Sequence, residues 1–126
     1  MSQVFIIFFP KNNNSYLSLQ GSSCIFSCST GCSSKGFFFG ESYYDSPIGE
    51  QSVIGMPYHH LSHKLLSNAN NFNDIEFILK NIKRKSNLHL LISNNSDSRI
   101  YLSCSDTLKI HHTLKYKSLI YSVSPN

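Results

Sequence analysis

The chain has 126 residues, a formal net charge of +4, 40% hydrophobic and 13% aromatic residues. That length supports one core and not two, and the apolar content excludes a chain disordered throughout. The positive charge comes mainly from Lys80, Lys83, Arg84 and Lys85, with Lys109, Lys115 and Lys117. This local cluster suits an acidic protein surface better than nucleic acid, and the end of a helix favours such charges without any ligand.

Val4-Phe5-Ile6-Ile7-Phe8-Phe9 is too short for a membrane span and has no preceding basic residue, so it reads as a first strand. Without a recognisable export signal, Cys24, Cys28, Cys32 and Cys104 are expected to be reduced thiols, and the chain cytoplasmic or nuclear. Further strands are predicted over 15–20, 23–28 and 36–39, separated by Asn-, Gly- and Ser-rich stretches. An irregular connection through Pro47 and Gly49 follows, with a short edge strand over 52–55.

Pro57 suits a first helical position, and Leu61, Leu65 and Leu66 share a face, which predicts a helix over 57–67. Asn73 is the expected cap of a second helix running to about Lys85, with apolar residues at 75, 78, 79 and 82. Leu88, Leu90, Leu91 and Ile92 then form a buried strand, followed by a polar turn over 93–98. Ile100, Leu102 and Cys104 alternate as in a short strand, and 107–115 is expected to be helical.

These elements predict a single α+β domain over 1–126: an antiparallel sheet of about five to six strands with two to three helices packed on one face. Ile6 to Phe9, Phe37 to Phe39 and Leu90 to Ile92 are apolar at successive positions, hence on both faces. The uncovered face is therefore available for sheet-on-sheet dimerisation, unless residues 41–55 or the C-terminal segment fold over it.

Cys24, Cys28 and Cys32 recur every four residues, and His59, His60 and His63 form a second cluster. The spacing lacks paired zinc knuckles, and Cys28, Cys32, His59 and His63 would be the first ligands to test. His59 and His63 are one helical turn apart without the glutamate of a metalloprotease motif. Ser, Cys, His and Asp45 could be combined into a hydrolase on paper, but no nucleophile elbow ties them together. No phosphate-cradling glycine loop is present. The residues by themselves therefore imply no enzyme, no cofactor and no metal.

Two blocks carry a family resemblance. In Gly36 to Gly55 a strand precedes Tyr43-Tyr44-Asp45-Ser46-Pro47 and Ser52-Val53-Ile54-Gly55. In Phe77 to Asn94, the residues Leu79, Lys83, Lys85, Leu88, Leu90, Ser93 and Asn94 form a helix, a basic turn and a strand. Their order and spacing resemble the proteasome assembly chaperone 4 family. The chain departs from that family by lacking a residue between Ser46 and Pro47, by the segment 57–71, and by a C-terminal region of little acidic character.

The resemblance implies a non-enzymatic chaperone that stacks its sheet on a proteasome assembly chaperone 3-like partner, or on itself. The pair would bind proteasome alpha-type subunits during assembly of the 20S alpha ring. Phe37, Phe39, Leu90 and Ile92 are the expected sheet contacts, and Lys80, Lys83, Arg84 and Lys85 the expected contact to an acidic subunit. A small adaptor in another complex would use the same two-faced sheet, and a Cys/His metal-binding protein is the more distant alternative.

Overall fold

The computed structural model describes residues 3–21, 30–43, 54–85, 87–105 and 107–115. Local sequence punctuates the chain clearly. The β1 strand Gln3–Phe8 turns through Pro10 to Asn14 into β2, Tyr16–Gly21. After β3, Thr30–Ser33, a tight turn places Gly36 at φ 78°, a left-handed conformation that favours glycine, and leads into β4, Phe38–Tyr43.

The helices α1, Tyr58–Asn68, and α2, Phe72–Asn81, come next. They are followed by β5, Leu88–Ser93, β6, Asp97–Ser103, and β7, Leu108–Lys115. All seven strands join one sheet in chain order, each antiparallel to the next.

The α+β expectation is corrected here: among the described residues, seven strands and two helices make a mainly β structure. The segment 107–115, expected to be helical, pairs with β6 from Leu108 to Lys115, because β6 would otherwise present an open edge. Between Ile100 and Tyr101 the register shifts by one residue, as at a β-bulge, so that Ile100 opposes His112 and Tyr101 opposes Ile110. Residues 29–35, expected to be a loop, contain β3, and the strand expected over 23–28 lies outside the described residues. At 54–55 the chain bends instead of forming a strand.

The α2 cap is Asn71, not Asn73: its side chain accepts from the Asp74 amide at 2.9 Å, while Asp74 Oδ2 accepts from the Asn70 amide at 2.9 Å. The first bond satisfies an amide that the opening helical turn leaves free, and the second ties Asn70, just ahead of the cap, to that turn. The helix ends at Asn81 because the following residues enter a different pairing. Met56 bridges Arg84 in parallel, with Met56 N donating to Lys83 O at 2.8 Å and Lys85 N donating to Met56 O at 3.2 Å.

Both helices lie against one sheet face. Leu61, Leu65 and Leu66 of α1 and Phe72, Ile75 and Leu79 of α2 are buried with Phe39, Leu90, Ile92 and Tyr101. Truncating a fully buried leucine such as Leu79 or Leu90 costs about 2–5 kcal/mol, so this layer holds the fold together.

The register defines the opposite face. One row across the strands runs Ile7, Leu17, Cys32, Phe38 and Ser93. The next runs Phe5, Leu19, Thr30, Gly40, Leu91 and Ile100. In β2 the usual pattern is reversed: Ser18 and Gln20 are buried on the helix side and bonded to each other at 3.0 Å, while Leu17 and Leu19 face the open side.

Candidate functional site on the open sheet face

Ser42 of β4 and His89 of β5 are direct cross-strand partners on the open face, followed in the same row by Leu102 and Lys109. Opposed residues in an antiparallel pair bring their Cβ atoms to about 4.5–5.5 Å, within mutual side-chain reach. Thr30, Gly40, Leu91 and Ile100 of the adjoining row complete a groove of about 420 Å³, to which Glu41 also contributes. The wall is mainly apolar, with Thr30, Glu41, Ser42 and His89 as its polar residues, the usual constitution of a small-molecule site.

Ser42 is exposed and His89 half-buried, so both can meet a ligand entering from the open side. Burial pushes the Glu41 carboxyl above its ordinary range. This combination can accept an apolar body, hydrogen-bond a polar group and move a proton through the imidazole.

The residues expected to contact partners lie elsewhere. Phe37, Phe39, Leu90 and Ile92 are packed beneath the helices, because their register places them on the helix side. The expected basic patch is also divided. Lys80, Lys83 and Lys85 are exposed, and Lys80 pairs with Glu76 at 3.7 Å. Arg84 is buried: its guanidinium donates to the carbonyls of Leu79, Ile82, Cys104 and Thr107, fixing the end of α2 to the chain around β6 and β7.

The cysteine and histidine clusters are similarly dispersed. Cys32 belongs to the open face, whereas His63 lies on the helix side, its Nδ1 2.9 Å from the Tyr16 hydroxyl and its ring edge-on to Phe8. The His59 ring lies tilted against that of Tyr58, and burial, followed by the charges of His60 and His63, holds it below the ordinary histidine range. Cys28 lies outside the described residues. Among the described residues, no three His, Cys, Asp or Glu side chains converge on a point suited to a metal ion.

Sequence reasoning missed Ser42 and His89. Nothing in the strand sequences singles them out, and their meeting depends on β4 and β5 pairing across the intervening helices.

No protein-family model matches the chain, and no curated protein sequence matches it. Solved structures do. Penicillin V acylase from Agrobacterium tumefaciens superposes with a TM-score of 0.60 at 18% identity, covering 81% of this chain and 35% of the acylase. Two variant structures of conjugated bile acid hydrolase from Clostridium perfringens give TM-scores of 0.62 and 0.64 at 17% identity, covering 86% of this chain and 42% of the hydrolase chain. The chain thus spans well under half the length of each, and the likeness is one of fold.

That likeness in fold is to an acylase and a hydrolase and not to a chaperone. It overturns the resemblance to proteasome assembly chaperones and, with it, the expectation of a non-enzymatic alpha-ring chaperone. The helix, basic turn and strand in Phe77 to Asn94 exist in part, but they belong to a longer meander.

Proposed function

We propose that this chain contributes to an acyl-conjugate hydrolase, with its groove over β4 to β6 receiving the apolar acyl portion of the substrate. The observation carrying this reading is the placement of Ser42 and His89 side by side in an apolar groove. The likeness of the surrounding fold to two hydrolases supports it.

In this reading Leu91 and Ile100 hold the acyl body, while the Ser42 hydroxyl orients the bond to be cleaved. The His89 imidazole takes a proton from water as the water oxygen bonds to the acyl carbon. It returns that proton to the leaving group as the acyl bond breaks, so one water is consumed for each bond cleaved.

The test uses penicillin V and a conjugated bile acid, with products followed by mass spectrometry. The expected result is a free acid and its leaving group, with turnover falling by about 100-fold or more in His89→Ala. Phe77→Ala, on the exposed surface of α2, should retain the activity. Absence of products with the wild-type chain, or equal turnover by His89→Ala, would refute the reading.

A further inference from the structure

Gly40 sits inside β4, where a glycine weakens the strand because it offers no side chain to pack. Two usual reasons for a strand glycine do not apply to it. Its φ is not positive, a conformation found at Gly36 and Gly55. Nor is it crowded: a Cβ built at Gly40 meets no heavy atom within 4 Å, whereas one at Gly55 would strike the Arg84 backbone. A glycine with open space above it lets a ligand approach the strand backbone closely.

That space is the floor of the groove over β4 to β6. On the open face Gly40 has Phe38 and Ser42 as its neighbours along β4, with Thr30 of β3 on one side and Leu91 of β5 on the other. Alternation turns the Glu41 side chain toward the helix layer, opposite the buried Leu90, so its carboxylate does not stand over this floor. Thr30 and Leu91 therefore wall a slot that begins at Ser42 and His89 and runs along β4 toward Phe38.

The dimensions of the slot select a shape. Adjacent strands lie about 4.8 Å apart, so one file of methylene carbons laid over Gly40 has Thr30 and Leu91 at about that distance on either side, close to apolar contact. A fused-ring body is at least two carbon files wide; it rests on the rims and leaves the floor empty. Along β4 the path from Ser42 to Phe38 is roughly 14 Å, and the Phe38 ring, 56% exposed, occupies its far end. The remaining length holds about eight carbons.

We infer that the slot over Gly40 receives an unbranched acyl chain of about eight carbons, and that Gly40 determines this preference by leaving the floor bare. The inference rests on the acyl-conjugate hydrolase reading for the position of the acyl carbon, at Ser42 and His89. Wider acyl bodies bind the same groove less tightly.

Titration with straight-chain carboxylates from butanoate to decanoate, followed by amide NMR shifts, tests this inference without requiring turnover. In the wild-type chain the dissociation constant should fall about threefold to fourfold per added methylene and level off near octanoate. The shifts should centre on Gly40, Ser42 and Leu91. Gly40→Leu fills the floor and should weaken octanoate binding by about 10-fold or more; the open space and ordinary φ at this position predict unchanged circular dichroism. If that variant fails to fold, the chain-length series on the wild type decides alone. Affinity that does not rise with chain length, or a folded Gly40→Leu that binds octanoate as tightly as the wild type, would overturn the inference. A chain that binds octanoate as expected yet cleaves no conjugate overturns the hydrolase reading and leaves the slot; one that cleaves penicillin V yet binds octanoate no better than butanoate does the reverse.

Discussion

Glu76 Oε1 accepts from Arg99 Nη1 at 2.7 Å, joining α2 to β6 across the boundary between helices and sheet. The same oxygen accepts from the Tyr101 hydroxyl at 3.3 Å, and the Arg99 guanidinium lies 4.1 Å over the Phe72 ring. Burial is the main cause pushing the Tyr101 phenol up to about 12, so it remains a hydrogen-bond donor at ordinary pH. One carboxylate therefore orders two strand side chains. Glu76→Ala is expected to cost about 1.5–3 kcal/mol, because a charged hydrogen bond is lost and Arg99 left without its acceptor. A urea melt should show a lower midpoint at constant slope.

Arg84 presents a different arrangement, a buried cation bound by carbonyl oxygens. Its donors engage Leu79 and Ile82 near the end of α2, and Cys104 and Thr107 beyond β6. Arg84→Ala leaves several of these acceptors buried and should destabilise by about 3 kcal/mol or more. Arg84→Lys should recover only part of the loss, since an ammonium cannot reproduce the planar fork. Hydrogen exchange at the α2 C-terminus should rise in both variants, further in the alanine.

The Glu41 carboxyl provides a pH test. Burial raises its folded-state pKa above the ordinary 4.5, so the folded chain binds its proton more readily than the unfolded chain. The sign follows from linkage: stability is highest below that ordinary value and declines as pH rises through the window to the raised folded value. Glu41→Gln should therefore raise the melting temperature at neutral pH and leave it nearly unchanged at acidic pH. Melts of both proteins across that range provide the comparison.

Gly55 lies where the chain returns to the end of α2. A Cβ built there would sit 2.7 Å from the Arg84 carbonyl carbon and 2.9 Å from both Arg84 O and Lys85 N, all backbone atoms. Its φ of 157° adds to the cost. Gly55→Ala should therefore lose about 1–3 kcal/mol, and the Met56 pairing should open first. Thermal unfolding measures the loss, and amide exchange at Met56 and Lys85 locates it.

Local signals were legible where one residue type dictates one geometry. Leu61, Leu65 and Leu66 mark the buried side of α1, and Leu88, Leu90 and Ile92 that of β5. Long-range pairing was harder to read. Residues 108–115 contain Leu108, Ile110 and Leu114 at spacings compatible with helix or strand, and pairing with β6 decided between them.

The open apolar face was also visible in composition, but its residues were not. The sequence pattern puts Phe37 and Phe39 among the expected sheet contacts, whereas the register places Phe38 outward and its neighbours in the core. A shift of one residue is invisible in a run of three phenylalanines, yet it exchanges core for surface. His89 was hidden similarly, since only its pairing with Ser42 separates it from an ordinary half-buried strand residue.

Spatial order equal to chain order also bears on how the molecule assembles. The β5–β6 hairpin has the shortest connection, and its turn is prepared by Asn94, whose side chain accepts from the Ser96 amide at 2.9 Å and the Asp97 amide at 2.8 Å. Such local closure costs little chain entropy, which favours early formation, whereas β4 must wait for β5 across both helices. The β4–β5 seam that brings Ser42 beside His89 is then a late product of folding, and a chain stalled before it closes would have both hairpin systems without the groove.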